Sequence, residues 1–455
     1  MSSAPGVQDG RPASDDHPPQ GGIPVPAGAP LLDQPGLPAQ PPIVGAGAGV
    51  VTPEPASPVR PSPAVGRAAR ALWSVLPAWA TSRVVVLVVL GTARFVADHA
   101  HVASPAAVAR LHQGLLGWDA GWYEAIARTG YGPLGHQSLR FFPLFPLAGR
   151  LLGAVPGISD GVALVVLANA CALVGMALVR VLVLAETGDR GWADRSVWLL
   201  ALVPPAYVLV MGYAEGLLLV CTAGCFLALR RGSGAGWAGP AAAPGSRGAA
   251  GPSWAWVVVL GFAAGLTRPL GVLLVVPVAV EAARGWRHAR WRWRGRLGAL
   301  AGTAAPLAGA GSFLAWSAAA FGDGLLPVRV QVQSGHHGAL SDPLRVLAHD
   351  AAGAAHHHFG TALHVPWVVL AVVLVVVCWR RLPAAYGAFA AVVVLAGLSG
   401  TNLDSFERYA LSAFPLVVAG ASLTASRWVE RAVLVLATAG LCAYALLAFS
   451  NLLVP

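Results

Sequence analysis

A handful of polar side chains, spread along an otherwise apolar chain, could carry chemistry. Asp119 stands in "GWDAGWYEAIARTGYG", Gly117 to Gly132, a stretch holding two tryptophans, two tyrosines and two carboxylates. Arg140 follows in "LRFFPLFPLAGR", Glu215 in "MGYAEGLLL" and Arg268 in "GLTRPLG". Asp404, Glu407, Arg408 and Tyr409 come together in "TNLDSFERYALSAFPL". A carboxylate can take a proton from a hydroxyl. The planar fork of arginine contacts two phosphate oxygens at once. The rings of Trp118, Trp122 and Tyr123 suit stacking on a sugar or anchoring at headgroup depth. Such parts fit transfer of a sugar from a lipid phosphate to a hydroxyl. An inverting glycosidase needs an acid and a base. A phosphate leaves as an anion without being protonated, so here one base would suffice, with positive charge to steady the phosphate.

Each residue also has a plainer reading. Asp119 could cap the helix "AGWYEAIART", although Trp122 stands where a capping box needs Glu or Gln. Trp118, Trp122 and Ile126 recur at four-residue spacing and would line one apolar stripe of a helix lying on the membrane. Glu124, five residues after Asp119, points elsewhere. The two prolines of 139–150 end or shape a re-entrant segment, with Arg140 at its edge. Glu215 is either a solvated loop residue or a binding group. Arg268 sits at the turn of a short hairpin, where Pro269 stops one helix and Gly271 opens the next.

The scaffold that must position these groups is membrane-embedded. The chain has 455 residues, 56% hydrophobic and 11% charged, against about 25% charged in a soluble domain. The reading is an all-α polytopic membrane protein, a bundle of about eleven transmembrane helices with a re-entrant or interfacial helical first outer loop at 98–160. Apolar spans fall at about 72–97, 161–184, 196–211, 216–229, 254–267, 269–283, 298–321, 364–379, 384–400, 409–425 and 432–450. Those at 216–229 and 254–267 are short for a bilayer and are expected to be tilted, broken or buried in protein. Residues 1–65 are rich in Pro, Gly, Ala and Ser and read as a disordered tail, leaving 66–455 as the membrane domain.

All 30 basic residues are arginine, and the formal charge is +10. They fall in short groups between apolar segments rather than on one face, which excludes a nucleic-acid surface. Arg60, Arg67, Arg70, Arg190, Arg195, Arg230, Arg231, Arg247, the group "RGWRHARWRWRGR" at 284–296, Arg380, Arg381, Arg427 and Arg431 all fall on one side if there are eleven spans. The positive-inside rule makes that side cytoplasmic. It puts the N-terminus inside and the loops 98–160, 322–363 and 400–408 outside, in a cytoplasmic membrane.

No cofactor is expected; a divalent metal is an open alternative that no motif indicates. The histidines His336, His337, His349 and His356 to His358 lie in a low-complexity segment without a zinc signature. The five cysteines form no CxxC pair and mostly lie in apolar runs, as small core residues.

The motifs "WDAGWYEAIARTGY", "FFPLFP", "YAEG", "LTRPLG", "FGD" at 321–323 and "RYALSAFPL" occur in the order seen in the PIG-V-like mannosyltransferases, which belong to the GT-C superfamily of polytopic glycosyltransferases. The resemblance covers roughly 70–450. It implies a polyprenyl-phosphate mannose donor, a lipid or glycan acceptor and inverting transfer to an α-mannoside. It implies that an acidic residue of the first outer loop is the base, and Asp119 is the position that matches. In this reading Arg408 and Arg268 bind the donor phosphate, with Arg140 in support. Glu215 and Tyr123 orient sugar or acceptor, and Trp118, Trp122, Asp404 and Tyr409 complete the substrate site. The segment "VQVQSGHHG" departs from the family, where a Gln-aromatic pattern is usual. The competing readings are a transporter or flippase for a lipid-linked sugar, a GT-C enzyme using another sugar such as arabinose or glucose, and a non-catalytic scaffold. A transporter would show internal repeats and polar groups at the midplane. Here no repeat is evident and the polar groups gather towards one face.

Overall fold

The computed structural model describes residues 63–100, 104–230, 252–287, 293–333, 338, 340–355, 364–401 and 403–454. All of them belong to one unit, Arg60–Pro455. The tail before Pro63, Arg60, Arg231, Arg247, residues 288–292, and the histidines 336, 337 and 356–358 lie outside the described residues. Among the described residues there is no strand, and six helices are long and apolar enough to cross a membrane. The protein is an all-α polytopic membrane protein.

The chain runs through α1 (Pro63–Ala100), α2 (Pro105–Gln113), α3 (Asp119–Thr129), α4 (Leu144–Gly153), α5 (Asp160–Thr187), α6 (Arg190–Leu202) and α7 (Glu215–Arg230). It continues as α8 (Trp254–Thr267), α9 (Val275–Arg287), α10 (Trp293–Phe321), α11 (Leu326–Gln331) and α12 (Pro343–Ala355). It ends with α13 (His364–Arg381), α14 (Ala384–Gly397), α15 (Phe406–Ser412), α16 (Phe414–Ser422) and α17 (Arg427–Phe449).

Two of the expected spans are broken. The segment 196–211 is α6 followed by a 3-10 stretch, Pro204–Leu209, because Pro204 and Pro205 cannot continue an α-helix. The break frees carbonyls in an apolar interior, where each must find a donor. Arg83, on α1, donates through Nη2 to the Leu209 carbonyl at 2.8 Å and through Nε to Asn169 Oδ1 at 2.9 Å. Asn169 Nδ2 donates to the Val210 carbonyl at 2.9 Å. A buried arginine thus serves the backbone of a neighbouring span. The segment 409–425 is split into α15 and α16 at Ala413, with Pro415 in the first turn of α16.

The helices have a shared polarity. At the C-terminal end of α5, Glu186 is paired with Arg230, the last residue of α7, and accepts from Tyr386 Oη at the start of α14 at 2.6 Å. Trp192 and Arg195, in the first turns of α6, donate to the Val418 and Ala421 carbonyls of α16 at 2.8 and 3.3 Å. The same end of the bundle therefore collects Arg190, Arg195 and Arg230, and, through the short connections to α14 and α17, Arg380, Arg381 and Arg427. The other ends of these helices carry the polar residues of interest: Glu215 opens α7 and Arg268 closes α8.

Helix α8 is held parallel to α10 by direct backbone approach. A side chain at Gly265 would strike the Pro306 carbonyl, and one at Gly309 the Phe262 carbonyl. Small residues at such contacts let membrane helices pack by dispersion where no hydrophobic drive separates helix from lipid. The closeness sets α8 against α10, and Pro269 ends α8, so that Arg268 stands at its terminus.

Candidate active site

The start of α3 is set by strain. Trp118 holds φ +58° and ψ −128°, a conformation that non-glycine residues rarely adopt. The turn sends the chain straight into helix at Asp119. Gly130, at φ +75°, ends α3 and its N–H bonds the Ile126 carbonyl at 2.9 Å. The capping alternative for Asp119 is therefore corrected: Trp118 occupies the cap position, no side chain caps the helix, and the Asp119 carboxylate is used elsewhere.

Tyr123, Ile126 and Ala127 form the buried face of α3. Tyr123 meets Phe141 and Phe145 edge-on, at centroid distances of 5.2 and 5.1 Å. These are the aromatics of "FFPLFP". Pro143 and Pro146 shape the entry to α4, which packs Gly149 against Leu164 of α5. The expected surface stripe of Trp118, Trp122 and Ile126 does not form. Ile126 is fully buried, because Trp118 precedes the helix and the helical register turns Ile126 inward beside Tyr123.

Asp119 Oδ2 accepts from Arg408 Nη1 at 2.6 Å. Arg408 Nε lies 3.4 Å from Glu215 Oε1, and Glu215 is also paired with Arg268. Arg408 lies over the rings of Tyr213 and Tyr409, at 5.5 and 5.9 Å. Tyr213 Oη accepts the Asp119 backbone N–H at 3.3 Å. Glu215 is 4% exposed, so the solvated-loop reading of it is corrected. Sequence separation hid this: positions 119, 215, 268 and 408 are brought together by the ends of α3, α7, α8 and α15.

Arg140 joins the same cavity from the 3-10 stretch His136–Arg140, with its guanidinium over Phe141 at 5.5 Å. Its buried Nε has no hydrogen-bond partner. The cavity, of about 240 Å³, is lined by Asp119, Tyr123, Arg140, Arg268, Arg408 and Tyr409 on its polar side, and by Pro269, Leu270 and Leu273 on an apolar wall. Glu215 lies behind this lining rather than in it, against Arg268 and Arg408, so two carboxylates, Asp119 and Glu215, stand against three arginines. One positive charge is left without a counter-charge in a partly buried site, where electrostatic effects are stronger than in open water.

Burial alone would raise the pKa of Asp119. The charge and hydrogen bond of Arg408, with Arg268 and Arg140 further off, outweigh it and hold the carboxyl below its ordinary range. Burial pushes the Tyr123 phenol well up, against the nearby Arg268, so Tyr123 is a neutral hydroxyl at physiological pH. Asp119, at 26% side-chain exposure, is the ionised group that the cavity can offer to a hydroxyl.

Four residues named from the sequence lie elsewhere. Asp404 turns to His364, with Oδ1 3.7 Å from Nε2, because Ser405 at φ +67° redirects the chain before α15. Glu407 holds His364 Nδ1 at 2.8 Å, so neither acid lines the Asp119 cavity. Trp118 and Trp122 line a different cavity, described below. Tyr213, Phe141 and Gln331 were not singled out from the sequence. All three stand inside segments noted above, Tyr213 in "YAEG", Phe141 in "FFPLFP" and Gln331 in "VQVQSGHHG".

No protein-family model and no curated protein matches the chain. It is similar to solved structures of an Archaeoglobus fulgidus oligosaccharyltransferase. One, in complex with zinc and sulfate, gives a TM-score of 0.36 at 13% identity over 73% of this chain and 48% of the other. A second, tethered to an acceptor peptide, gives 0.36 and 13% over 73% and 50%. A third, in complex with an inhibitory peptide and a dolichol-phosphate, gives 0.33 and 12% over 69% and 47%. The chain spans about half the length of the structures it matches. At these TM-scores the overlap is too loose to carry a ligand or a residue role across.

Proposed function

We propose that the protein is a membrane glycosyltransferase of the GT-C type, moving a mannosyl group from a polyprenyl-phosphate donor to a hydroxyl of a lipid or glycan acceptor. The observation that carries the reading is one ionised carboxylate, Asp119, paired with Arg408 in a cavity that Arg268 and Arg140 also line, so that three arginines stand against two acids, Asp119 and Glu215. A site with surplus positive charge and a single base matches a reaction whose leaving group is a phosphate anion. The choice of mannose rests on the motif resemblance. The placing of the site on the outer face of a cytoplasmic membrane rests on the arginines gathered at the opposite helix ends.

In the reaction, the acceptor O–H gives its proton to Asp119 and its oxygen forms a bond to the anomeric carbon. The bond from that carbon to the phosphate oxygen breaks, and its electron pair leaves with the phosphate. Attack opposite the leaving group inverts the centre. Arg408, Arg268 and Arg140 take up the charge that develops on phosphate. The apolar wall of Leu270 and Leu273 suits the first isoprenoid units. Arg408 has two tasks: it holds Asp119 ionised, and it meets the donor. A phosphate drawing on Arg408 Nη1 weakens its hold on Asp119, whose basicity then rises when a donor is bound.

The test is product analysis. Membranes containing the full chain, given radiolabelled polyprenyl-phosphate mannose, should yield an α-linked mannoside that membranes lacking the chain do not. Label that crosses the bilayer without forming a new glycosidic bond would replace this reading with a transporter. Product only from a donor carrying another sugar would correct the specificity.

A further inference from the structure

The strained residue Trp118 separates two cavities. Asp119 faces the first. Trp118 itself lines a second, of about 540 Å³, with Trp122, Glu124, Ala125, Arg110 and Gln113. Small-molecule pockets commonly span about 300–1,000 Å³. The wall between the two includes Trp122, whose ring stacks on Phe141 of the first cavity at 5.8 Å and 16°.

The second cavity has built polar groups of both signs. Arg110 lies over the Trp118 ring at 4.0 Å and is held by Gln113 Oε1 at 2.6 Å and Asn451 Oδ1 at 3.3 Å. Glu124, half-buried in the same wall, makes no hydrogen bond or ion pair with the described residues. Trp118 Nε1 donates to the Ala448 carbonyl at 2.9 Å, which fixes that ring. Among the described residues the non-glycine positions at positive φ are Trp118, Ser405 and Asn451, and two of the three touch this cavity or its arginine. Such strain costs roughly 1–3 kcal/mol and persists where the surroundings enforce it, often at functional positions.

We infer that this second cavity binds a sugar ring that does not itself react: a ring of the acceptor next to the one that receives the transferred sugar. Arg110 covers one face of Trp118 and Phe141 one face of Trp122, and the remaining indole faces suit the apolar faces of a ring. An unpaired carboxylate accepts from two neighbouring hydroxyls, and Arg110 donates to another. A phosphate is disfavoured, because Glu124 opposes it and Arg110 is the one arginine present. The identity of the ring as acceptor rests on the glycosyl-transfer reading; the binding of a sugar ring does not.

The test uses the full chain carrying Asp119→Asn, in lipid nanodiscs and without donor, so that no turnover intervenes. Saturation-transfer NMR is recorded on methyl α-D-mannoside, methyl β-D-glucoside and myo-inositol. At least one should receive saturation. Adding Glu124→Gln should weaken that ligand about five-fold, the size of one or two lost hydrogen bonds. Adding Ala125→Phe, which fills the cavity without touching Asp119, should remove the signal. Absence of saturation in all three ligands overturns the inference. So does a signal that survives both second-cavity variants, or one that Arg140→Gln removes instead. Turnover of labelled donor by the unmutated chain is scored separately. Turnover without sugar saturation removes the second site alone, and saturation without turnover removes the transfer reading alone.

Discussion

Asp119 and Arg408 hold each other at 2.6 Å, and this contact shapes how the site should respond to pH. The depressed pKa of Asp119 keeps the base form present from neutral pH down through the ordinary carboxylate range. Its ion pair contributes stability above that range and loses it as the pH falls below. The acid limb of kcat/KM, which reports the free enzyme, is expected below the ordinary carboxylate range. The limb of kcat, which reports the donor complex, is expected at higher pH, because phosphate competes for Arg408. Coincident limbs would argue against that competition. Arg140 is the cation without a carboxylate partner, so Arg140→Gln should raise the KM for donor several-fold, with kcat less affected, in steady-state assays. The residue types that could do this chemistry were legible in the sequence. Their partners were not, because Glu215 and Asp404 look alike as single acids near span ends. Only the fold buries one with Arg268 and turns the other to His364.

At the scale of elements, the site depends on helix ends set by contacts far from it. Gly309 allows α10 to touch the backbone of α8 at Phe262, which leads to Arg268 at the end of α8. Gly309→Leu should cost about 1–3 kcal/mol, the usual size of overpacking, seen as a lower Tm in detergent, and should also raise the KM for donor by shifting Arg268. The Glu215–Arg268 pair ties α7 to α8 in the interior. Arg268→Met, which leaves Glu215 only its 3.4 Å contact with Arg408, should destabilise by up to about 3–5 kcal/mol, and adding Glu215→Leu should recover most of that. Equal Tm values for the single and double variants would contradict the pairing. Most helices match the apolar runs in the sequence, since a long run of Val, Leu and Ala has few alternatives in lipid. The breaks at Pro204–Leu209 and Ala413 were not anticipated. A proline in a membrane span disrupts it only as far as neighbours can satisfy the freed carbonyls, and the neighbours here, Arg83 and Asn169, lie more than a hundred and about forty residues away.

Across the described helices, a cluster of arginines and the candidate site occupy opposite ends. Arg190, Arg195, Arg230, Arg380, Arg381 and Arg427 gather at one end, and Asp119, Glu215, Arg268 and Arg408 at the other. The arginine pattern was readable because topology signals are local in sequence. The cavities were not, since each needs side chains from elements that are distant in the chain. Trp118 and Asp119, adjacent in sequence, serve separate cavities because of one backbone turn that no residue preference announces.

The central claim is that Asp119 takes the acceptor proton. The most direct measurement compares donor consumption and product formation by the full chain and by Asp119→Asn, an isosteric change, at equal amounts of folded protein in membranes. Loss of turnover by about 10²–10⁴-fold, with labelled donor still bound, is the predicted result. Wild-type turnover by Asp119→Asn would contradict the account.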